Sequence, residues 1–255
     1  MFILNENRVR FLLSGDSSIV VEFGNEISKD INSKIRKLMN SLENEKDNLK
    51  EITEVVPTYR SLLISYNPCI SNFKTLKEKV EKLLSLSEIS EENEEINLIE
   101  IPTLYNDEFG VDLAYVAEHN GLSKEEVINI HTGTDYLVYM LGFMPGFTYL
   151  GGMSEKIATP RLSSPRLKIL PGSVGIAGKQ TGMYPSESPG GWRIIGRTPL
   201  KLYDENSDMP VFISSGDYIR YVSISEEEYK KVEKEVAGGN YKIKISKIKR
   251  GELNV

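Results

Sequence analysis

The chain has 255 residues, with 31 Lys and Arg against 37 Asp and Glu, so its formal net charge is −6 at pH 7. Hydrophobic residues make up 40% and charged residues 27%, the balance of an ordinary soluble globular protein of one large or two modest domains. The acidic balance argues against nucleic acid and anionic membranes as partners, and one cysteine with two histidines argues against a metal site. The chain shows neither a leader pattern nor an apolar stretch near the ~18 residues of a membrane span, so we expect a cytoplasmic protein.

Residues 1–95 are predicted to form an α+β domain. Apolar residues spaced three and four apart predict two helices, at 28–43 and 72–86, and Ser28 is a suitable N-cap for the first. Apolar and β-branched runs predict four strands, at 18–23, 52–56, 61–66 and 97–101. This order of elements is typical of a ferredoxin-like sandwich. The acidic run at 87–95 predicts a solvated linker, which places the domain boundary there.

Residues 96–255 are predicted to form a mainly-β domain, a compact barrel or folded sheet. The segment 142–199 holds 11 of the 20 glycines and 7 of the 11 prolines, a density that excludes long helices and indicates short strands joined by tight turns. Strands are predicted at 173–177, 192–195, 199–203, 211–214, 218–224 and 241–249. Helices are predicted at 111–119 and 226–236, with another that opens in a capping box at Ser123.

Positive charge is concentrated between Lys156 and Arg197, where seven Lys or Arg accompany one acid, Glu187. Arginines in turn-rich segments can clamp a carboxylate or a phosphate with both arms of the guanidinium group. The alternative is that exposed arginines merely decorate loops, since a run along the chain need not form a patch in space. The sign of the charge favours an anionic ligand over a cationic one.

Two local features could suggest chemistry. The segment Gly172–Thr181 resembles a phosphate-binding loop, but five residues separate its outer glycines and Gln180 stands where the loop needs Ser or Thr, so we reject it. His131 lies at the predicted end of a helix and is the one candidate for a general base. A histidine that caps the helix and interacts with its dipole is the favoured interpretation. The sequence identifies no other catalytic residue.

Several motifs in the second half of the chain are distinctive as a set. They are Leu141-Gly-Phe-Met-Pro-Gly-Phe-Thr-Tyr-Leu-Gly-Gly152, Thr159-Pro-Arg161, Pro165-Arg166, Gly172-Ser-Val-Gly-Ile-Ala-Gly178, Gln180-Thr-Gly-Met-Tyr-Pro185, Ser188-Pro-Gly-Gly-Trp192 and Ile195-Gly-Arg-Thr198. In this order, over about residues 135–220, the chain resembles the B-subunit family of 5-oxoprolinase, which includes the Kip-type inhibitor of a sporulation histidine kinase and allophanate hydrolase subunit 1. One departure is Leu170-Pro-Gly172, where the family usually has Pro-Ala-Gly.

The resemblance implies a cyclophilin-like β-barrel for residues 96–255 and a function within a complex. Family members act with subunits C and A to cleave 5-oxoproline to glutamate with ATP, and magnesium is expected with the ATP. Phosphorylation of the lactam oxygen would convert an unreactive bond into one that water can open. This chemistry needs charge clamps, for which Arg161, Arg166 and Arg197 are the candidates, with Arg166 preferred. We expect the chain to bind no cofactor and to show no activity by itself.

The same resemblance indicates a pocket or a partner-binding surface. Its predicted members are Phe143, Pro145, Phe147, Gln180, Tyr184, Pro189, Gly190, Gly191 and Trp192. The alternative function is inhibition of a histidine kinase, in which exposed aromatic residues would dock the kinase; against this, at least one of Phe143 and Phe147 is expected in the barrel core. Gly190 and Gly191 are predicted to form a turn with positive φ that presents Pro189 and Trp192 at a rim.

Overall fold

The computed structural model describes residues 9–86 and 95–254. The chain divides into two compact units, Met1–Glu91 and Glu92–Val255. Residues 87–94 of the predicted linker lie outside the described residues. No helix in the described part of the chain is both long and apolar enough to cross a membrane.

The first unit is a four-stranded antiparallel sheet with two helices. Its elements are β1 (Arg10–Leu13), β2 (Ser18–Glu22), α1 (Lys29–Asn44), β3 (Ile52–Pro57), β4 (Ser61–Tyr66) and α2 (Phe73–Leu86). The strand order is β1-β2-β4-β3. Side chains along β2 and β4 point alternately to the two faces of the sheet, so that residues on one face, such as Ile19, Leu62 and Ile64, are buried. They pack with the apolar faces of the two helices in one core.

The predicted helices of this unit are confirmed by their caps and their buried faces. The Ser28 side chain accepts a hydrogen bond from the backbone N–H of Ile31, as its N-cap role requires. Ile35 and Leu38 on α1 and Leu76 and Val80 on α2 are fully buried. Periodicity predicted these helices well because each buries a single apolar stripe against the sheet.

The strand at 97–101, which the ferredoxin-like order of elements counted with the first unit, lies beyond the predicted boundary at residue 95 and belongs to the second unit. It forms the centre of β5 (Glu95–Thr103). There it pairs in parallel with the strand Tyr218–Ser223 and antiparallel with the strand Ile245–Lys249. The outer strand of the first sheet is instead β1, whose residues Phe11 to Leu13 appear in the sequence only as a short apolar patch.

The second unit contains three sheets and three longer helices among the described residues. The helices are α3 (Leu113–Asn120), α4 (Lys124–Thr132) and α5 (Glu226–Ala237). The remaining strands are β6 (Asp135–Leu141), β7 (Thr148–Gly151), β8 (Arg166–Ile169), β9 (Ser173–Ala177), β10 (Gln180–Met183), β11 (Ser188–Gly190), β12 (Arg193–Arg197), β13 (Tyr218–Ser223) and β14 (Ile245–Lys249). The mixed α/β fold class is therefore confirmed, while the ferredoxin-like and cyclophilin-like assignments stay predictions.

The second unit contains a large apolar core and a second, smaller buried cluster that includes Phe147, Ile169 and Trp192. The strand orders of its sheets are β14-β5-β13-β6-β7, β10-β9-β12 and β11-β8. Two backbone hydrogen bonds between Leu104 and Arg197, of 2.9 and 3.0 Å, join the end of β5 to β12. Residues of β5, β6, β9, β12 and β13 contribute to the large core, which α3 and α4 cover.

Two predicted strands, at 199–203 and 211–214, are not strands in the structure. Leu200, Leu202 and Ile213 are nevertheless buried in the core of the second unit. Alternating apolar residues therefore identified the inward-facing side chains correctly but not the backbone pairing. The reason is that an extended loop can bury alternate side chains without joining a ladder.

Local helix signals in this unit are confirmed. Ser123 and Glu126 form a reciprocal capping box at the start of α4. Gly121 ends α3 in the left-handed conformation, with φ of 66°. These motifs act through neighbours within four residues, so the sequence alone is sufficient to recognise them.

Candidate functional site

A cavity of about 150 Å³ in the second unit collects most of the predicted site residues. It is lined by Phe143, Phe147, Tyr149, Arg161, Tyr184, Pro189, Gly190, Gly191 and Trp192. All of these except Tyr149 were singled out from the sequence. Larger grooves of about 330 and 470 Å³ lie elsewhere and contain none of the predicted residues. We name this cavity the Arg161 pocket, after its one charged lining residue.

The floor of the Arg161 pocket is a packed aromatic cluster. Phe147, Tyr184 and Trp192 are 3%, 2% and 5% exposed. The ring of Phe147 meets those of Tyr184 and Trp192 edge to face, with centroids 5.6 Å apart in both pairs. Under the alternative hypothesis of kinase inhibition these three rings would be exposed on a docking surface, but in the structure they are buried against one another.

Phe143 is the aromatic residue that remains exposed at this pocket. Its side chain is 68% exposed, and its ring meets that of Phe147 edge to face at 5.5 Å. Because Phe147 is buried and Phe143 is exposed, the expectation that at least one of the two belongs to the core is confirmed. Pro145, in the same loop, is exposed and lies outside the set of lining residues.

The two adjacent glycines at the pocket do not form the predicted turn. Neither Gly190 nor Gly191 has a positive φ, and Gly190 ends strand β11. Gly190 is instead needed for close approach, because a Cβ there would lie 2.4 Å from the Tyr184 hydroxyl oxygen and 2.6 Å from Ile169 Cδ1. A Cβ at Gly191 would meet nothing closer than 3.8 Å. Pro189 is exposed, as predicted for a rim, whereas Trp192 is buried.

Arg161 supplies the positive charge of the pocket. Its side chain is exposed, and its guanidinium carbon lies 5.9 Å from the centre of the Trp192 ring. Among the described residues, the structure places no carboxylate or carbonyl oxygen within hydrogen-bonding distance of this group. Its charge also acts on the Tyr184 phenol. A guanidinium beside aromatic faces and without an anionic partner can receive a carboxylate or a phosphate.

The hydroxyl of Tyr184 is the second polar group in the pocket wall. Burial raises the pKa of this phenol, while a backbone hydrogen bond with Trp192 and the charges of Arg161 and Arg166 act in the opposite direction. The phenol therefore stays protonated at neutral pH. It can donate a hydrogen bond to an oxygen of a bound molecule.

The structure gives Arg166, the preferred anion-binding candidate, partners within the protein. Its Nη2 donates to Asp112 Oδ1 at 2.8 Å, and its Nη1 lies 3.4 Å from the carbonyl oxygen of Trp192. The Asp112 side chain is 7% exposed. Its second oxygen accepts the backbone N–H of Ile194 at 2.7 Å. These contacts favour a structural role for Arg166, holding α3 and β12 around a buried carboxylate.

Arg197 and most of the other basic residues in the charge run also have protein partners. Arg197 Nε donates to the Pro171 carbonyl at 2.8 Å, and its guanidinium group lies over the Phe109 ring. Lysines of the run form ion pairs with acids, namely Lys168 with Glu187 and Lys179 with Glu155. Four of the seven basic residues of the run thus form ion pairs with acids, so the local excess of positive charge is compensated in part.

His131 is a buried core residue and not a helix cap. It is 0% exposed, and both ring nitrogens have hydrogen-bonding partners at 2.8 Å, Tyr105 Oη and Thr181 Oγ1. Since the Thr181 hydroxyl donates to the Gly175 carbonyl, Nε2 of His131 must be the donor toward it, and Nδ1 accepts from Tyr105. Burial lowers the pKa of His131 to about 3, so the ring is neutral. A sealed imidazole with both nitrogens occupied does not act as a general base on a ligand.

Two residues that matter here escaped the sequence prediction, and Gln180, like Pro145, was predicted for the pocket but does not line it. Tyr149 lines the pocket and belongs to the distinctive Leu141–Gly152 run, which was a usable signal. Asp112 gave no signal, because its partner Arg166 is 54 residues away in the chain. Gln180 lies in β10, half-buried and outside the pocket lining. The described residues contain no group of three or more His, Cys, Asp or Glu side chains that could hold a metal ion.

Comparisons with known proteins agree with this architecture. The family model of the carboxyltransferase domain, subdomains C and D, matches residues 9–213. The B-subunit of 5-oxoprolinase from Bacillus subtilis (strain 168) is 44% identical over 84% of this chain and 92% of that protein. The protein of the same name from Escherichia coli O157:H7 is 38% identical over 86% of this chain and 98% of its own length.

A solved structure extends the similarity to the fold. The Kluyveromyces lactis urea amidolyase aligns with a TM-score of 0.76 at 22% identity, over 95% of this chain and 16% of that one. The chain therefore belongs to the carboxyltransferase-domain family of subdomains C and D and, within it, to the group of 5-oxoprolinase B-subunits.

Proposed function

We propose that this chain is the B-subunit of an ATP-dependent 5-oxoprolinase, a complex that opens the lactam of 5-oxoproline to give L-glutamate. The observation that carries the proposal is the similarity over most of the chain to proteins of that name in two distant bacteria. The chain works in the cytoplasm with two partners, subunits C and A, and is inactive by itself.

The Arg161 pocket is the proposed ligand site of this chain. 5-Oxoproline combines one carboxylate with a small lactam ring. Arg161 binds the carboxylate, and the aromatic walls accept the ring. The support lies in the free guanidinium group, the protonated Tyr184 hydroxyl and the small volume of the cavity.

We infer that ATP is not held by the Arg161 pocket or by the segment Gly172–Thr181 of this chain. The glycine-containing segment that resembles a phosphate loop contributes β9, whose five residues are all buried. The Arg161 pocket has one arginine and about 150 Å³, too little charge and space for a triphosphate. We therefore assign ATP and its magnesium to the assembled complex, and this chain contributes recognition of 5-oxoproline.

The proposal includes a cyclophilin-like barrel for the second unit and a ferredoxin-like arrangement for the first. The joining of β5 to β12 through Leu104 and Arg197 supports a closed barrel. For the first unit, the support is a four-stranded antiparallel sheet with two helices, in which β1 takes the edge position beside β2 that the strand at 97–101 was expected to fill. The alternative, inhibition of a histidine kinase, is less well supported. The aromatic residues expected to dock the kinase are mostly buried, and the relatives are named as parts of an enzyme.

Reconstitution tests this function. The chain is purified alone and with subunits C and A from the same genome, and release of glutamate and ADP from 5-oxoproline, ATP and magnesium is measured. We expect turnover only from the complete mixture and an at least tenfold loss with Arg161→Ala, whereas the matched exposed variant Lys156→Ala keeps full activity. Turnover by the lone chain, or an inactive complete mixture, would contradict the proposal.

A further inference from the structure

Phe143 combines three properties that rarely occur together in one residue. Its backbone φ is 67°, the one positive φ of a non-glycine residue in the described part of the chain. Its side chain is 68% exposed, and it lines the Arg161 pocket. A bulky residue in the left-handed region is an outlier, and such strained residues cluster at functional sites.

The loop that carries Phe143 enforces this conformation. The backbone N–H of Gly142 donates to the Phe147 carbonyl, Met144 donates to the Gly142 carbonyl, and Phe147 donates to the Met144 carbonyl, at 3.2, 2.8 and 3.1 Å. Gly146 approaches the Leu202 carbonyl so closely that a Cβ there would lie 2.8 Å away. These contacts lock the loop at both ends, so Phe143 cannot relax without breaking them.

The position of the ring indicates what it serves. It does not fill the core, since two thirds of its surface is exposed and its aromatic contact is one edge-to-face pair with Phe147. Across the same pocket stand the Arg161 guanidinium group and the Trp192 ring. The cavity thus offers one cation and apolar walls within about 150 Å³, which suits a small molecule with one carboxylate and one ring.

We propose that Phe143 is a ligand-binding residue of the Arg161 pocket, and that its ring packs against the ring of a small cyclic carboxylate held by Arg161. The identity of this carboxylate as 5-oxoproline rests on the proposed function. This role explains why phenylalanine stands at a strained position. Glycine would relieve the backbone strain but would remove the ring from the pocket wall. The ring thereby selects cyclic carboxylates over acyclic ones.

A matched pair of variants separates the ring from the strain. Phe143→Gly and Phe143→Ala both remove the ring, but only glycine adopts the positive φ without strain. We expect both variants to weaken binding of 5-oxoproline at least tenfold while leaving binding of acetate, which has no ring, within twofold. Phe143→Tyr should keep the wild-type preference. Phe143→Gly should also melt at a higher temperature than Phe143→Ala.

Binding is read from the fluorescence of Trp192, the sole tryptophan of this chain, in the full chain by itself. Unchanged preference for 5-oxoproline over acetate in both variants overturns the proposal, as does the absence of any preference in the wild type. Glutamate release by the wild-type complex is measured in parallel. If the wild-type complex releases glutamate and both Phe143 variants keep the wild-type KM for 5-oxoproline, the proposed function is supported and the role of Phe143 is rejected. If the complex is inactive but the chain by itself prefers 5-oxoproline to acetate, the proposed function is rejected and the role of Phe143 is not.

Discussion

Arg166 and Asp112 form a partly buried ion pair in which the guanidinium Nη2 donates to Oδ1 at 2.8 Å. The same carboxylate accepts the backbone N–H of Ile194, and Arg193 Nη1 lies 3.6 Å from Oδ1. One carboxylate thus ties the start of α3 to β8 and β12. An arginine that the sequence presents as a clamp for ligands serves in the structure to neutralise a buried acid.

Arg166→Ala should therefore reduce stability and spare the binding pocket. Removing the arginine leaves the Asp112 carboxylate short of its best partner, for an expected loss of about 2 kcal/mol in the free energy of unfolding. Denaturant unfolding measures it. Lys168→Ala is the control, because the Lys168–Glu187 pair is exposed on both sides and should contribute below about 0.5 kcal/mol. Normal stability of Arg166→Ala together with lost 5-oxoproline binding would restore the anion-binding role to this residue.

Arg161 should control how readily anions reach Trp192. Iodide is attracted to a guanidinium group, whereas acrylamide is neutral, so Arg161→Ala should lower quenching of Trp192 fluorescence by iodide about twofold and leave acrylamide quenching unchanged. Arg161→Lys, which keeps the charge, should resemble the wild type in this assay. Equal iodide quenching in the alanine variant and the wild type would show that the guanidinium group does not face the pocket in solution.

The two adjacent glycines should respond very differently to alanine. Gly190→Ala forces a Cβ against the Tyr184 hydroxyl and Ile169, and we expect a loss of about 1–3 kcal/mol in the free energy of unfolding. Gly191→Ala, with nothing nearer than 3.8 Å, should change it by less than about 0.5 kcal/mol.

A double variant locates the clash at Gly190. In Tyr184→Phe the hydroxyl oxygen is absent, so adding Gly190→Ala should cost less there than in the wild type. Equal costs of the two alanine variants, or no coupling between Gly190→Ala and Tyr184→Phe, would contradict the close packing of this wall.

His131 should make the protein less stable as the pH falls. Its pKa is about 3 in the folded protein against 6.5 ordinarily, so between these values the unfolded chain binds the extra proton. Its contribution to the free energy of unfolding is complete above pH 6.5 and falls by about 1.4 kcal/mol per pH unit below it. His131→Gln removes this titration, so the stability difference between wild type and variant should shrink from pH 7 to pH 5. A difference independent of pH would mean that the folded imidazole accepts a proton.

Elements defined by close neighbours could be predicted from the sequence. The Ser28 cap and the Ser123–Glu126 capping box each act within a few residues. The apolar stripes of α1 and α2 repeat at helical spacing, so burial of one face follows directly. Most lining residues of the Arg161 pocket were also found, because they belong to one distinctive run of motifs.

Contacts between distant residues could not be predicted in this way. The sequence by itself determined that the protein is acidic, built of mixed α and β elements, and equipped with arginines and aromatic residues near its prolines and glycines. Only the tertiary structure decided that Arg166 pairs with Asp112 while Arg161 has no acidic partner among the described residues, that Phe143 is exposed while Phe147 is buried, and that β5 joins the second unit. The physical reason is that side-chain pairing and strand pairing depend on the approach of residues far apart in the chain, which local periodicity does not encode.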